Sequence, residues 1–125
     1  MNNVRGPGPR PMLAAAAITK GMLCKLTAAA DTVTPVTAQA DIAAYVAEED
    51  VDSGARGSFL PFTGEREHRV LISASVTRAA KLMVDTGNPG FLKTVTSGIG
   101  CAQAAESVTY AAGALALVAP AQTTT

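Results

Sequence analysis

The chain has 125 residues, a length that suits one domain, and its ten basic and ten acidic side chains leave a formal net charge of zero. This balance, with 4% aromatic residues and no Trp, argues against a phosphate-binding surface and against stacking platforms for single-stranded nucleic acid. Much of the apolar fraction is Ala, so we expect a core of many small contacts that gains stability when the chain associates with others.

The first segment is rich in Gly and Pro. Because Gly6 to Pro11 suits neither a helix nor a strand ladder, residues 1–12 are predicted to form an extended arm that is available to a partner. The apolar run Met12–Ile18 has the character of a secretory signal peptide, but it is short and Lys20 ends it. We therefore predict that this run begins the first strand.

Short apolar runs separated by turn residues follow the arm. Their spacing of about 8–12 residues is typical of a β-sandwich or β-barrel. Arg69–Val76 is the clearest strand, because its apolar residues alternate with other side chains. One predicted face consists of Val70, Ile72, Ala74 and Val76, and the other of Leu71, Ser73 and Ser75. The other runs are Met22–Leu26, Val33–Val36, Ile42–Val46, Ser58–Phe62, Lys81–Val84, Phe91–Val95, Ile99–Ala104 and Leu115–Ala119.

The long apolar stretch Gly98–Pro120 suits a buried helix, a membrane anchor or two strands. Polar residues interrupt it before the roughly eighteen apolar residues of a membrane span accumulate. Its glycines and its Ser-Val-Thr segment disfavour one long helix. We therefore predict strands at Ile99–Ala104 and Leu115–Ala119, joined by a compact turn or a single helical turn over Glu106–Gly113.

An internal match supports this interpretation. The segment that starts at Ile42 aligns with the one that starts at Ile99, and Glu49 then matches Glu106. Both segments read as strand, acidic turn, glycine and strand, so we interpret them as corresponding parts of one β-barrel. The predicted fold is mainly β: a small single-domain barrel or sandwich over residues 13–120, with at most one short helix and a flexible tail over residues 121–125.

The sequence predicts no metal or cofactor site. Cys24 and Cys101 are interpreted as buried free thiols, although a disulfide is possible if their Cα atoms lie about 6 Å apart. With His68 as the single histidine, no set of His and Cys ligands for a metal can be assembled. The acidic segment Glu48–Asp52 lacks the spacing of a calcium loop and is predicted to be a simple acidic turn.

The segment Asp85-Thr86-Gly87, which follows three apolar residues, resembles the active-site turn of aspartic proteases. In the retroviral type, two chains each supply one such Asp, and the two carboxyl groups share a proton. Only forty residues follow Asp85, too few for the flap and the later apolar element of those enzymes. We therefore interpret Asp85–Gly90 as a turn and predict that the chain is not an enzyme. A dimeric aspartic protease that uses Asp85 is the alternative.

A second charged stretch runs from Glu65 through Arg66, Glu67 and His68 to Arg69. Neighbouring charges of mixed sign are usually solvated or locally paired, and no nucleophile with a matching motif accompanies them. We interpret the stretch as a solvated loop, with a salt bridge between subunits as the alternative.

Three features resemble the small head-decoration (cement) proteins of tailed bacteriophages. They are the Gly-containing entry into a strand at Lys20–Leu23 and the two units Val46–Gly54 and Ala104–Leu115, in which an apolar strand, an acidic turn and a glycine follow one another. The resemblance covers roughly Thr19 to Pro120. It implies a β-rich, barrel-like domain on the outside of a capsid, often a trimer, which binds the major capsid protein and clamps neighbouring capsomers.

The resemblance further implies a structural virion protein, made in the cytoplasm of a bacterial host, with neither nucleic acid nor membrane as a direct partner. An arm can pair its main chain with a neighbouring sheet edge, and its arginines can meet carboxylates on the capsid. A small secreted or adaptor domain with an unrelated partner is a third hypothesis. The candidate partner-binding residues are Arg5, Pro7, Pro9, Arg10, Pro11, Glu65, Arg66, Glu67 and Arg69.

Overall fold

The computed structural model describes residues 9–63, 67–95 and 99–124. Over these ranges the chain forms strands and no helix, which confirms the predicted mainly-β class; accordingly, no described segment is a helix able to cross a membrane. The strands are β1 (Arg10–Ala14), β2 (Leu23–Leu26), β3 (Thr32–Pro35), β4 (Tyr45–Ala47), β5 (Arg56–Pro61), β6 (His68–Leu71), β7 (Lys81–Val84), β8 (Leu92–Thr94), β9 (Ile99–Ala104) and β10 (Leu115–Thr124).

The strands form two five-stranded arrangements. The first five close into a barrel in the order β1-β3-β2-β4-β5, in which β1 is parallel to β3 and antiparallel to β5. The last five form a sheet in the order β6-β10-β9-β7-β8. An isolated parallel bridge between Ile72 and Leu92 joins the two outer strands of this sheet. The second sheet is therefore a nearly closed barrel with the strand order of the first.

The chain thus contains two copies of one fold, which we call the first repeat (β1–β5) and the second repeat (β6–β10). Backbone hydrogen bonds recur at matching places in both copies. Matching pairs are Ala14 to Ala55 and Ile72 to Ala114, Ala15 to Val33 and Ser73 to Leu92, Gly21 to Ala47 and Ala79 to Ala104, and the reciprocal bridges of Ile18 with Val51 and of Val76 with Val108. The internal match seen in the sequence is part of this duplication. Its two segments lie in different repeats, so the expectation that both belong to one barrel was wrong.

Several strands differ in extent from the sequence-based prediction. Strands β7 and β9 have the predicted bounds, whereas β6 ends at Leu71. Beyond Leu71 the chain leaves the regular ladder and makes only isolated bridges, at Ile72 and Val76. Because the alternation of a strand is lost there, Ala74 is exposed, although Val70, Ile72 and Val76 of the same predicted face are buried.

The ends of the domain also differ from the predicted boundaries. Strand β1 begins at Arg10, so part of the segment predicted as an arm belongs to the barrel. The backbone N–H groups of Leu13 and Ala15 point toward β3, so the backbone nitrogen of Pro11 points to the same side. At Pro11, however, β1 is not yet paired with β3. The lack of an N–H group in Pro11 therefore removes no hydrogen bond between strands. At the other end, β10 continues to Thr124 through the segment predicted as a tail.

Two clusters of buried side chains form the core. One lies within the first repeat and includes Met12, Val33 and Phe59. The other fills the second repeat but also contains Leu23 and two further residues of the first repeat. Because this second cluster is continuous across both repeats, the chain is one domain with a duplicated architecture, in agreement with the predicted single domain.

Backbone hydrogen bonds also connect the repeats, and we call these contacts the joint. The N–H of Leu71 donates to the carbonyl of Gly21 at 2.9 Å. The N–H of Leu23 donates to the carbonyl of Gly90, and the N–H of Gly90 donates to the carbonyl of Val36, both at 2.9 Å. The main chain of Gly21–Leu23 therefore lies along the gap between β6 and the turn that precedes β8.

The corresponding gap in the first repeat is closed by that repeat alone. There Leu13, which matches Leu71, donates its N–H to the carbonyl of Asp31 at 2.8 Å. The first repeat thus completes its own barrel, whereas the second uses backbone groups of the first to fill the same gap.

Candidate functional site

The candidate partner-binding residues at the start of β1 lie at the rim of the first repeat. The guanidinium of Arg10 lies 5.7 Å from the ring centre of Tyr45 and donates to its hydroxyl. It also forms an ion pair with Asp31 at 3.4 Å. Arg10 is thus held by contacts within its own barrel. Pro9 and Pro11 are exposed beside it.

A groove of about 300 Å³ opens at this rim, and we call it the N-terminal groove. It lies between the start of β1 and the first half of β5, together with the turn that follows β4. Its polar groups include one carboxylate and two guanidinium groups. The lining residues are Pro9, Arg10, Pro11, Glu49, Arg56, Gly57 and Ser58.

The carboxylate in the groove is fixed by backbone contacts. Glu49 accepts a hydrogen bond from the N–H of Ser58 through Oε2 at 2.8 Å. The hydroxyl of Ser58 donates to Oε1 of Glu48 at 2.7 Å, and the N–H of Lys20 donates to Asp50 at 2.8 Å. The acidic segment is therefore a turn whose side chains accept hydrogen bonds from backbone N–H groups and from the hydroxyl of Ser58. The described residues include no cluster of three His, Cys, Asp or Glu that could hold a metal ion.

The second set of candidate residues lies at the matching rim of the second repeat. Arg69 is 62% exposed in its side chain and lies 3.5 Å from Oε2 of Glu106. The same oxygen accepts the N–H of Leu117 at 2.9 Å. Glu67 is exposed beside them. The charge of Arg69 is therefore paired locally. The prediction of a solvated loop was wrong for His68 and Arg69, because both belong to strand β6 and His68 is buried.

The candidate residues that the structure describes thus fall at equivalent rims of the two repeats: Pro9, Arg10 and Pro11 at the start of β1, and Glu67 and Arg69 at the start of β6. Arg5, Pro7, Glu65 and Arg66 lie outside the described residues. The sequence interpretation missed Arg56 and Ser58 as groove residues, and it treated Glu49 only as part of an acidic turn. The match of Glu49 with Glu106 was the signal that connected the two rims.

The structure supports the turn interpretation of Asp85. The carboxylate is buried, and it accepts hydrogen bonds from Ser73 Oγ at 2.6 Å, Asn88 Nδ2 at 3.0 Å and the N–H of Gly87 at 3.0 Å. Lys93 lies 4.0 Å away. These contacts tie the turn before β8 to the segment after β6. Nothing in this arrangement favours the protease alternative, since both carboxylate oxygens bind groups of the chain itself.

The environment of Asp85 also fixes its ionisation. Burial alone would raise the pKa of this carboxyl, but the hydrogen bonds from Ser73, Asn88 and Gly87 and the charge of Lys93 together hold its pKa below the ordinary value. Stability from such a group is present above the pKa of the unfolded chain and is lost as the pH falls through the lower pKa of the folded protein.

We expect Asp85→Asn to lower the free energy of unfolding at pH 7 by about 1–3 kcal/mol, because the amide cannot accept all of these hydrogen bonds. Below about pH 4 the difference from the unaltered protein should shrink, because the carboxyl group is then protonated in the unfolded chain and progressively in the folded protein. Urea unfolding between pH 2 and pH 7 measures both effects. Asp52→Asn, at an exposed position, is the control; an equal loss in this variant would contradict the assignment to the Asp85 contacts.

Both cysteines are free, as the sequence interpretation favoured. Burial raises the pKa of Cys24 to about 12 and that of Cys101 to about 11. A thiol that stays protonated is a poor nucleophile and a poor metal ligand. The two thiols therefore act as apolar groups of the core and its margin.

The fold is similar to that in the crystal structure of the head fiber gp8.5 N base of bacteriophage phi29. The TM-score is 0.71 and the sequence identity 18%, and the similarity covers 90% of this chain and 92% of that chain. No protein-family model and no curated protein matches the sequence. The similarity establishes the fold over nearly the whole chain, and the sequence resemblance to proteins of phage heads is thereby confirmed at the level of architecture.

Proposed function

We propose that the chain is a structural protein of a bacteriophage virion, which binds the outer surface of the head through the major capsid protein and clamps neighbouring subunits. The observation that carries the proposal is the shared fold with a head fiber base, which extends over 90% of this chain. The sequence resemblance to head-decoration proteins supports the same class. The absence of net charge is compatible with a protein partner and gives no reason to invoke nucleic acid.

The finer features belong to the same proposal. The chain would act as a homotrimer after its synthesis in the host cytoplasm, and residues 1–8, with Arg5 and Pro7, would reach a neighbouring subunit on the head. The rims of the two repeats would contribute the rest of the contact, through Pro9 and Pro11 on one side and Glu67 and Arg69 on the other. Glu65 and Arg66, which adjoin the second rim in sequence, are part of the proposed surface.

The proposal predicts saturable binding of the purified chain to heads that lack it. We expect sedimentation with such heads at a fixed stoichiometry, and release of packaged DNA at a higher temperature once the heads are decorated. Light scattering of the free protein measures whether it is a trimer. A chain that does not sediment with the heads would overturn the proposed function.

A separate variant tests the contribution of the arm to head binding. Replacing residues 2–8 by a Gly-Ser linker of equal length removes Arg5 and Pro7 but leaves β1 complete, since that strand begins at Arg10. Weaker occupancy of the heads supports the arm as a contact. Undiminished occupancy would remove the arm from the proposal while leaving head binding in place.

A further inference from the structure

The two repeats bind an equivalent carboxylate in the same way. In the first repeat, Glu49 Oε2 accepts the N–H of Ser58, and in the second, Glu106 Oε2 accepts the N–H of Leu117. The backbone confirms that these positions match, because the carbonyl of Ser58 accepts the N–H of the residue before Glu49, and the carbonyl of Leu117 accepts the N–H of Ala105. Any difference around the two carboxylates is therefore a difference between equivalent sites.

The repeats differ in the residue on the adjacent strand. Leu117 lies opposite Arg69 in the pairing of β10 with β6, whereas Ser58 lies opposite Pro11 in the pairing of β5 with β1. In the second repeat this places the guanidinium of Arg69 at 3.5 Å from the carboxylate of Glu106. In the first repeat, proline stands where the arginine would be, and it supplies no charge.

The first repeat therefore presents a fixed carboxylate without the cation that its counterpart has. Within the described ranges, no Lys, Arg or His nitrogen lies within 4.0 Å of the Glu49 carboxylate. The space beside Glu49 is the N-terminal groove, about 300 Å³ in volume. Arg10, which also lines the groove, is paired with Asp31 and packed on Tyr45.

We infer that the N-terminal groove binds an arginine side chain of the head protein, in the position that Arg69 occupies in the second repeat. This inference rests on the proposed function and names one contact within it. A planar guanidinium can donate to a carboxylate through two N–H groups, and Pro9 and Pro11 offer apolar surface beside it. Arg56, which also lines the groove, can donate to a carbonyl or carboxylate of the same partner segment.

Two variants of the groove test the inference in different ways. Glu49→Gln removes the charge but keeps an oxygen that can accept the Ser58 N–H. Pro11→Arg supplies an internal arginine at the position equivalent to Arg69, so the groove should become filled by the chain itself. We expect each variant to weaken binding to undecorated heads by about tenfold or more, since hydrogen bonds to charged groups contribute this much or more.

The second repeat supplies the matched control. Glu106→Gln removes the equivalent charge at a site that already has its own cation, and we expect this variant to bind heads as the unaltered protein does. The quantity compared is the dissociation constant from sedimentation at several salt concentrations, after circular dichroism and the thermal midpoint have shown that each variant folds. The binding of Glu49→Gln should also depend less on salt.

The outcomes separate the inference from the function. If the unaltered protein binds heads and both groove variants bind equally well, the groove inference is wrong while the proposed function stands. Equal weakening by Glu49→Gln and Glu106→Gln would also overturn it, because the effect would then reflect overall charge. If the unaltered protein does not bind heads, the proposed function fails and the inference fails with it.

Discussion

Replacement of Gly90 by alanine should lower the free energy of unfolding by about 2–5 kcal/mol, the sum of two costs. The first is conformational: the φ angle of Gly90 is 84°, in the left-handed region that costs a side-chain-bearing residue about 1–2 kcal/mol. The second is steric: a Cβ at this position would lie 2.9 Å from the Cβ of Met22, which no side-chain rotation can move. Overpacking of this kind costs about 1–3 kcal/mol.

The steric cost falls on the joint. Gly90 is buried and exchanges backbone hydrogen bonds with Leu23 and Val36 of the first repeat, so a displaced backbone here weakens the contact between repeats. The control is Gly113→Ala, where φ is 79° but no atom lies within 4 Å of the added Cβ. It should cost only the conformational term, about 1–2 kcal/mol. Equal losses for the two variants in urea unfolding would show that the contact at Met22 is not tight.

Replacement of Phe59 by alanine should lower the free energy of unfolding by about 3–5 kcal/mol, because a fully buried ring leaves a cavity. Phe59 is 0% exposed and is the largest fully buried side chain in the core of the first repeat. The loss should appear as one cooperative transition in both repeats, since residues of the first repeat also belong to the core of the second. Circular dichroism gives the free energy, and amide exchange at Ala15 and Ser73, whose N–H groups are hydrogen-bonded at matching places, reports each repeat separately.

Leu26→Ala is the matched control for this prediction. Leu26 is also a large apolar residue of the first repeat, but it is 57% exposed, so its truncation should change stability by less than about 1 kcal/mol. Two separate transitions in Phe59→Ala would contradict a shared core. In that case the repeats would unfold as independent units.

Much of the strand pattern was accessible from the sequence because the strands are short apolar runs between turn residues. Lys81–Val84 and Ile99–Ala104 form strands with the predicted bounds. Prediction failed where pairing rather than hydropathy decides the outcome. Ala74 continues an alternating pattern but has no strand partner, and Pro11 reads as a breaker although its nitrogen faces away from the available ladder.

For a related reason, the sequence revealed the duplication only in the second half of each repeat. The matching segments that begin at Ile42 and Ile99 keep similar residues because both form a strand, an acidic turn and a second strand. The first halves of the two repeats differ in sequence where their contacts differ. Gly21 contacts the second repeat, whereas its counterpart Ala79, which also has a positive φ angle of 73°, is exposed. The close contact of Gly21 with the second repeat therefore favours glycine at this position, whereas its exposed counterpart is alanine.

The roles of the candidate surface residues were equally difficult to predict from the sequence. Arg10 was selected from the sequence as part of an extended arm and Arg69 as part of a charged stretch, and both lie at rims of the barrels. Their different roles depend on cross-strand register, which the sequence does not display. Tyr45 and Asp31 hold Arg10, whereas Glu106 holds Arg69. The importance of Pro11 emerges only when it is placed opposite Ser58 and compared with Arg69.

The joint also determines which of the two repeats can close first. The first repeat closes through its own contact of Leu13 with Asp31, whereas Leu71 and Gly90 of the second repeat use Gly21 and Leu23. Ribosomes release the N-terminal part of a chain first, so the half that is complete by itself emerges before the half that depends on it. The order of synthesis is therefore the order in which the barrels can close. When the second barrel is synthesised, the backbone groups of the first repeat that complete it are already in place.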